Sequence, residues 1–198
     1  LPGGFDRKGK PTVGAGWQTF DGNDHPECFA LDPVVKHGGE SSQRMTASAE
    51  VQPLIWAAAA PLSAVHGRIY TAEVWVKTKG VRRGARRGPA LQLEITDNRA
   101  QAVAFARAAV AREGDADWQV LTAAIACPPG GRRVRVNLGL DAEAGDCWFD
   151  ELFVHETPWP LPSDVASGWA KKAASTVKGT IAGKVLDDDG QPIAGATV

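Results

Sequence analysis

The nonapeptide Asp146 to Val154 (DCWFDELFV) sets Asp150 and Glu151 inside a run whose Cys147, Phe149 and Val154 read as a buried strand. Carboxylates are rarely buried unless something pairs with them, so Asp150 demands a partner. A second group is Glu73, Trp75, Gln92, Glu94, Arg135 and Asn137, each at an alternate position of a short apolar-polar segment. An indole can stack on the C–H face of a sugar ring, while amide, carboxylate and guanidinium groups pair with its hydroxyls. The same mixture also describes the solvated face of an ordinary antiparallel sheet. A third group is Arg82, Arg83, Arg86 and Arg87, preceded by Lys77 and Lys79. Such a run either grips carboxylate or sulfate bidentately or is a solvated turn.

These residues need strands to hold them. Ile69 to Lys77 puts Tyr70, Ala72, Val74 and Val76 on one face and Glu73, Trp75 and Lys77 on the other. Leu91 to Thr96 and Val134 to Leu138 repeat that period of two. Set side by side, the three segments would bury Tyr70, Val74, Val76, Leu91, Leu93, Ile95, Val134, Val136 and Leu138 and gather the polar set on one outer sheet. Pro61, Gly67, Gly80, Pro89 and Pro128-Pro129-Gly130-Gly131 punctuate them as turns. Many short strands so divided predict an all-β antiparallel sandwich over residues 1–155. Ala100 to Arg112 is Ala-rich enough for a helix, but Val103, Phe105 and Arg107 also suit a strand, which we favour.

Residues 156–178 carry three prolines and no sustained period, and read as a linker. Residues 179–198 read as two strands around the turn Asp187-Asp188-Asp189-Gly190. Two strands do not make a stable domain, so a longer protein is expected.

Composition narrows the class. Lys and Arg number 22 against 23 Asp and Glu, which gives no reason to expect nucleic acid as a partner. No apolar run approaches the roughly 20 residues of a membrane-spanning helix, so no membrane insertion is expected. Cys28, Cys127 and Cys147 lack C-x-x-C spacing; they are small buried residues, or two of them form a disulfide. His25, His37, His66 and His155 are scattered, no G-x-S-x-G, P-loop or H-E-x-x-H is present, and the expectation is that the chain is not an enzyme.

Gly3-Gly4-Phe5-Asp6, Gly16-Trp17, Gly39-Glu40-Ser41-Ser42, Gly67 to Tyr70 leading into Val74 to Lys77, Asp117-Trp118 and Trp148 to Glu151 follow in an order that resembles the jelly-roll carbohydrate-binding modules of the families four, nine and twenty-two type, in the galactose-binding-like superfamily. The segment Gly183 to Val198 resembles the opening of a carboxypeptidase-regulatory-like module. The first resemblance implies a secreted or cell-surface protein that binds polysaccharide, acidic or sulfated if the arginines take part, and keeps an attached domain near it. It points to Trp75, Gln92, Glu94, Arg135 and Asn137 as the groove, with Glu73 beside them. It also implies a structural Ca²⁺ shared by Asp6 and Asp150 with carbonyls near Gly39 to Ser41, a set suited to a hard cation; the alternative is an Asp150 held by backbone N–H groups or by a salt bridge to one of the arginines. It places Trp17 and Trp118 at the core edge. The second resemblance favours the other function, a structural spacer or docking sandwich.

Overall fold

The computed structural model describes residues 13–14, 16–19, 25–48, 50, 54–57 (backbone only), 62–110 and 112–158. The chain divides into Leu1–Pro158 and Trp159–Val198. Asp6, Trp159, Trp169 and the expected regulatory-like module lie outside the described residues, as does the linker beyond Pro158.

Among the described residues the first unit is an antiparallel jelly-roll sandwich of two sheets. The front sheet runs β1 (Trp17–Thr19), β4 (Leu54–Ala57), β10 (Arg133–Asp141), β7 (Gly88–Thr96) and β8 (Ala102–Ala109), with β5 (Leu62–Ser63) also paired to β10. The back sheet runs β2 (Phe29–Asp32), β3 (Ser42–Ala47), β11 (Ala144–Pro158), β6 (Arg68–Arg82) and β9 (Gly114–Ala126). A 3-10 turn, Pro26–Cys28, leads into β2.

The period of two builds the core directly. Tyr70, Ala72, Val74 and Val76 of β6 meet Leu91, Leu93 and Ile95 of β7 and Val134, Val136 and Leu138 of β10 in one buried cluster. Each large aliphatic side chain buried this way contributes about 1.5–3 kcal/mol of transfer free energy. Tyr70 carries a polar group into that cluster; its hydroxyl donates to the Ser63 carbonyl at 3.2 Å and accepts from Val65 N–H at 2.8 Å. Cys28, Cys127 and Cys147 are free and buried.

Residues 102–109 are a strand. Ala104, Ala106 and Ala108 pack against the core while pairing to β7 supplies the backbone hydrogen bonds, and that tertiary partner overrides the helix propensity of alanine. The last strand continues to Pro158, so residues 156–158, read from sequence as the start of the linker, pair with Tyr70, Ile69 and Arg68.

Candidate functional site: the outer face of the front sheet

Register assembles the front face row by row. Gln18 of β1, Trp56 of β4, Asn137 of β10, Gln92 of β7 and Arg107 of β8 are successive cross-strand partners. The neighbouring row runs Arg135, Glu94, Phe105. Residues directly opposite in antiparallel strands hold their Cβ atoms about 5 Å apart, so the side chains of Asn137, Gln92, Arg107, Arg135, Glu94 and Phe105 form a patch.

The patch is internally organised. Asn137 Nδ2 donates to Glu94 Oε2 at 3.3 Å, and Arg135 Nη1 stands 3.9 Å from Glu94 Oε1. Both Glu94 oxygens are therefore engaged, which holds the carboxylate in one orientation. Beside it Phe105 is 73% exposed, on a strand that forms the edge of the sheet. The exposed Phe105 ring stands on a face otherwise made of amide, carboxylate and guanidinium groups.

Four of the sequence-predicted residues, Gln92, Glu94, Arg135 and Asn137, thus come together. Glu73 and Trp75 do not join them. Their strand, β6, belongs to the back sheet, so both occupy the opposite outer surface of the sandwich. The expectation of one shared face is corrected for a physical reason: a period of two sorts side chains into inside and outside, but does not say which sheet a strand enters. The segment joining β6 to β7 is an arch between sheets, not a hairpin within one.

Trp75 is also covered. The His37 ring stacks on it, centroids 3.9 Å apart and planes 14° apart, and Trp118 meets His37 edge-on at 5.6 Å. Trp118, expected at the core edge, is half-buried in this back-face cluster. Trp17 does pack against the core.

His37 belongs to a strap between β2 and β3 that crosses the back face, and the strap explains Asp150. That carboxylate is fully buried. Its Oδ2 accepts from His37 N–H at 2.8 Å and Gly38 N–H at 3.0 Å, and its Oδ1 from Glu151 N–H at 2.8 Å. Glu151 in turn bonds the His37 imidazole. Asp32 anchors the other end, accepting from Val34 and Val35 N–H, each at 2.9 Å, and from the Trp148 indole at 2.8 Å. Burial works to raise the Asp32 carboxyl, but the Val35, Trp148 and Val34 hydrogen bonds and the Arg44 charge outweigh it and leave the group below its ordinary value.

The donor set described around Asp150 does not suit Ca²⁺. The groups facing its oxygens are N–H dipoles, and the carbonyls of Gly39 and Glu40 receive the Lys36 ammonium, at 2.9 and 3.5 Å. A cation there would face positive charge where it needs oxygen. Asp6, the other expected ligand, lies outside the described residues.

Sequence reasoning missed Phe105 and Arg107 as site residues. Their signal was present, since Val103, Phe105 and Arg107 alternate with three alanines, but it competed with a helical reading.

No protein-family model and no curated protein matches this chain. Solved structures share its fold. A cyclase from Fischerella sp. TAU, in complex with 4-(1H-indol-3-yl)butan-2-one, is similar at a TM-score of 0.59 and 14% identity over 80% of this chain and 96% of that one. The CBM22-1 xylan-binding domain from Paenibacillus barcinonensis is similar at a TM-score of 0.50 and 16% identity, over 79% of this chain and 92% of the domain. The enzymatically active domain of a bacteriophage CBA120 tailspike protein is similar at 0.54 and 11% identity over 72% of this chain, which spans only 20% of the tailspike chain. At these identities the likeness establishes the jelly-roll fold.

Proposed function

We propose that this chain is a non-catalytic polysaccharide-binding module whose ligand lies across the outer face of the front sheet. The observation that carries the reading is the exposed Phe105 ring standing beside Glu94, Asn137, Gln92 and Arg135 on one continuous patch. A pyranose would stack its C–H face on Phe105, while the Glu94 carboxylate, oriented by the buried Asn137, and the Gln92 amide take its hydroxyls. The fold it shares with a xylan-binding domain supports the reading. Holding an attached domain near its glycan, in a secreted or surface protein, is the role that such a module would serve.

Affinity gel electrophoresis over a panel of soluble polysaccharides tests it. Phe105→Ala is expected to weaken retardation about tenfold, since stacking and the burial it brings are worth about 1–2 kcal/mol. Its thermal midpoint should stay within a few degrees of the parent, because an exposed side chain contributes little to stability. Retardation unaltered by the substitution would refute this placement of the site.

A second reading, a spacer or docking sandwich, draws on the back face. There Trp75 is capped by His37, and Phe153 and Val120 are exposed. A panel without a single retarding glycan would favour it.

A further inference from the structure

Resting on the glycan reading of the front face, we propose that Arg107 and Arg87 read an acidic group on the sugar, so that the ligand is a polysaccharide bearing carboxylate or sulfate. Arg107 lies two residues from Phe105 on β8, hence on the same face and about 7 Å along the strand. A ring resting on Phe105 therefore has its substituents within reach of the Arg107 side chain. Arg87 ends the arch between β6 and β7, one residue before β7, whose Pro89 carbonyl accepts from Val110 N–H just past the end of β8 at 2.9 Å, so it stands at the same end of the β7–β8 pair towards which Arg107 lies.

Like charges gathered at one end of a binding row need a reason. Other arginines stand against carboxylates: Arg44 against Asp146, Arg68 against Glu156 and Arg135 against Glu94. Neither Arg87 nor Arg107 has a hydrogen bond or an ion pair among the described residues. Asp141 of β10 is the anion that acts on Arg107, and it acts more weakly than Arg87 does. Crowded surroundings first, and then the Arg87 guanidinium, lower Arg107 below the ordinary arginine value although the residue is exposed overall. A guanidinium remains a cation at neutral pH even so. An anionic substituent that reaches either guanidinium can be held bidentately.

The remaining charge on the patch does not oppose this. Glu94 would repel an acidic sugar, but the Arg135 guanidinium 3.9 Å from its Oε1 offsets that charge while leaving lone pairs for hydroxyls. The sequence run Arg82 to Arg87 so acquires a role for its last member, while Arg83 is drawn under the arch, packed against Gly88.

The test pairs charged and neutral versions of one backbone: polygalacturonate with its fully methyl-esterified form, and dextran sulfate with dextran. The charged member of at least one pair should retard the protein about tenfold more strongly, as a charge-assisted hydrogen-bonded contact warrants. The pair that shows the margin tells carboxylate from sulfate. Arg107→Gln and Arg87→Gln should each erase most of that margin with the melting midpoint unchanged. Phe105→Ala should weaken binding to every polysaccharide that the parent retains. Equal retardation by charged and neutral members overturns the inference and leaves the glycan reading standing. So does a margin that survives both arginine changes. A margin indifferent to Phe105→Ala marks charge attraction without a sugar site, and also overturns it. Silence from these four and from the neutral panel together removes the glycan reading, and the inference with it.

Discussion

Asp150 shows what one side chain can organise. It is an acceptor-only group with the peptide N–H groups of His37, Gly38 and Glu151 aimed at it. Asp150→Ala would strand those donors in a buried place, at a cost of about 3–5 kcal/mol. The strap would loosen, His37 would leave Trp75, and tryptophan emission should shift to the red. Urea unfolding and fluorescence measured on the same variant check both parts; a stable variant with unchanged emission contradicts this account. Asp32 holds the other end and adds a pH signature. Its folded carboxyl sits below its unfolded value, so the unfolded chain takes up the proton first as pH falls. Its stabilisation is complete above the unfolded value of about 3.9 and fades as pH drops through the folded one. Asp32→Asn should thus cost about 1–2 kcal/mol at neutral pH, from weakened bonds to Val34, Val35 and Trp148. The gap between parent and variant should close in acid, as urea titrations at several pH values would show. A gap of constant size from pH 7 to pH 2 argues against an ionised Asp32 as anchor.

At the scale of elements, β11 records both what the sequence disclosed and what it hid. Cys147 and Phe149 are odd-numbered and Leu152 and Val154 even-numbered, yet the first three are fully buried and Val154 packs against the core. Such a parity change requires one extra residue, and the register against β6 does slip between Asp150 and Phe153. Glu151 is the inserted residue, with φ of +46°, a conformation costly for a side chain outside glycine. The parity was legible from residues 147–154; the strap that the bulge serves was not, because its partners lie over a hundred positions away. The Trp75 misplacement has the same origin: alternation is local, whereas sheet membership is set by long-range pairing. A second slip, between Ala144 and Asp146, puts the extra residue on β6, where Gly80 and Val81 together stand opposite Gly145, which is itself at φ +111°. A Cβ there would lie 2.6 Å from the Gly80 carbonyl oxygen and the Val81 Cα. Backbone cannot retreat as a flexible side chain can, so Gly145→Ala should destabilise by about 2–4 kcal/mol. Thermal unfolding decides it; a loss under half a kcal/mol, by order of magnitude, means that the two strands separate there at little cost.

For the whole molecule, two sheets give two outer faces with different economies. The front face sets the exposed Phe105 ring beside largely buried polar groups, whereas the back face closes Trp75 beneath a strap and leaves Phe153 exposed. The sequence identified the sandwich and four of the front-face residues because strand alternation is strong in β7 and β10. It could not rank the faces, since that depends on where the strap between β2 and β3 folds. The strap also bears on the expected metal. In the described residues it is held by N–H donors on Asp150 and by Lys36 on the Gly39 and Glu40 carbonyls. A ligand that binds only the folded state raises stability by RT ln(1 + [L]/Kd), so removing a resident Ca²⁺ must lower the melting midpoint. We therefore expect chelation by EDTA, followed by dialysis, to leave the midpoint unchanged, and added Ca²⁺ at millimolar level to leave it unchanged too. A fall on chelation that Ca²⁺ restores and Mg²⁺ does not would reinstate Asp6 and Asp150 as ligands, with the Lys36 ammonium displaced from its carbonyls.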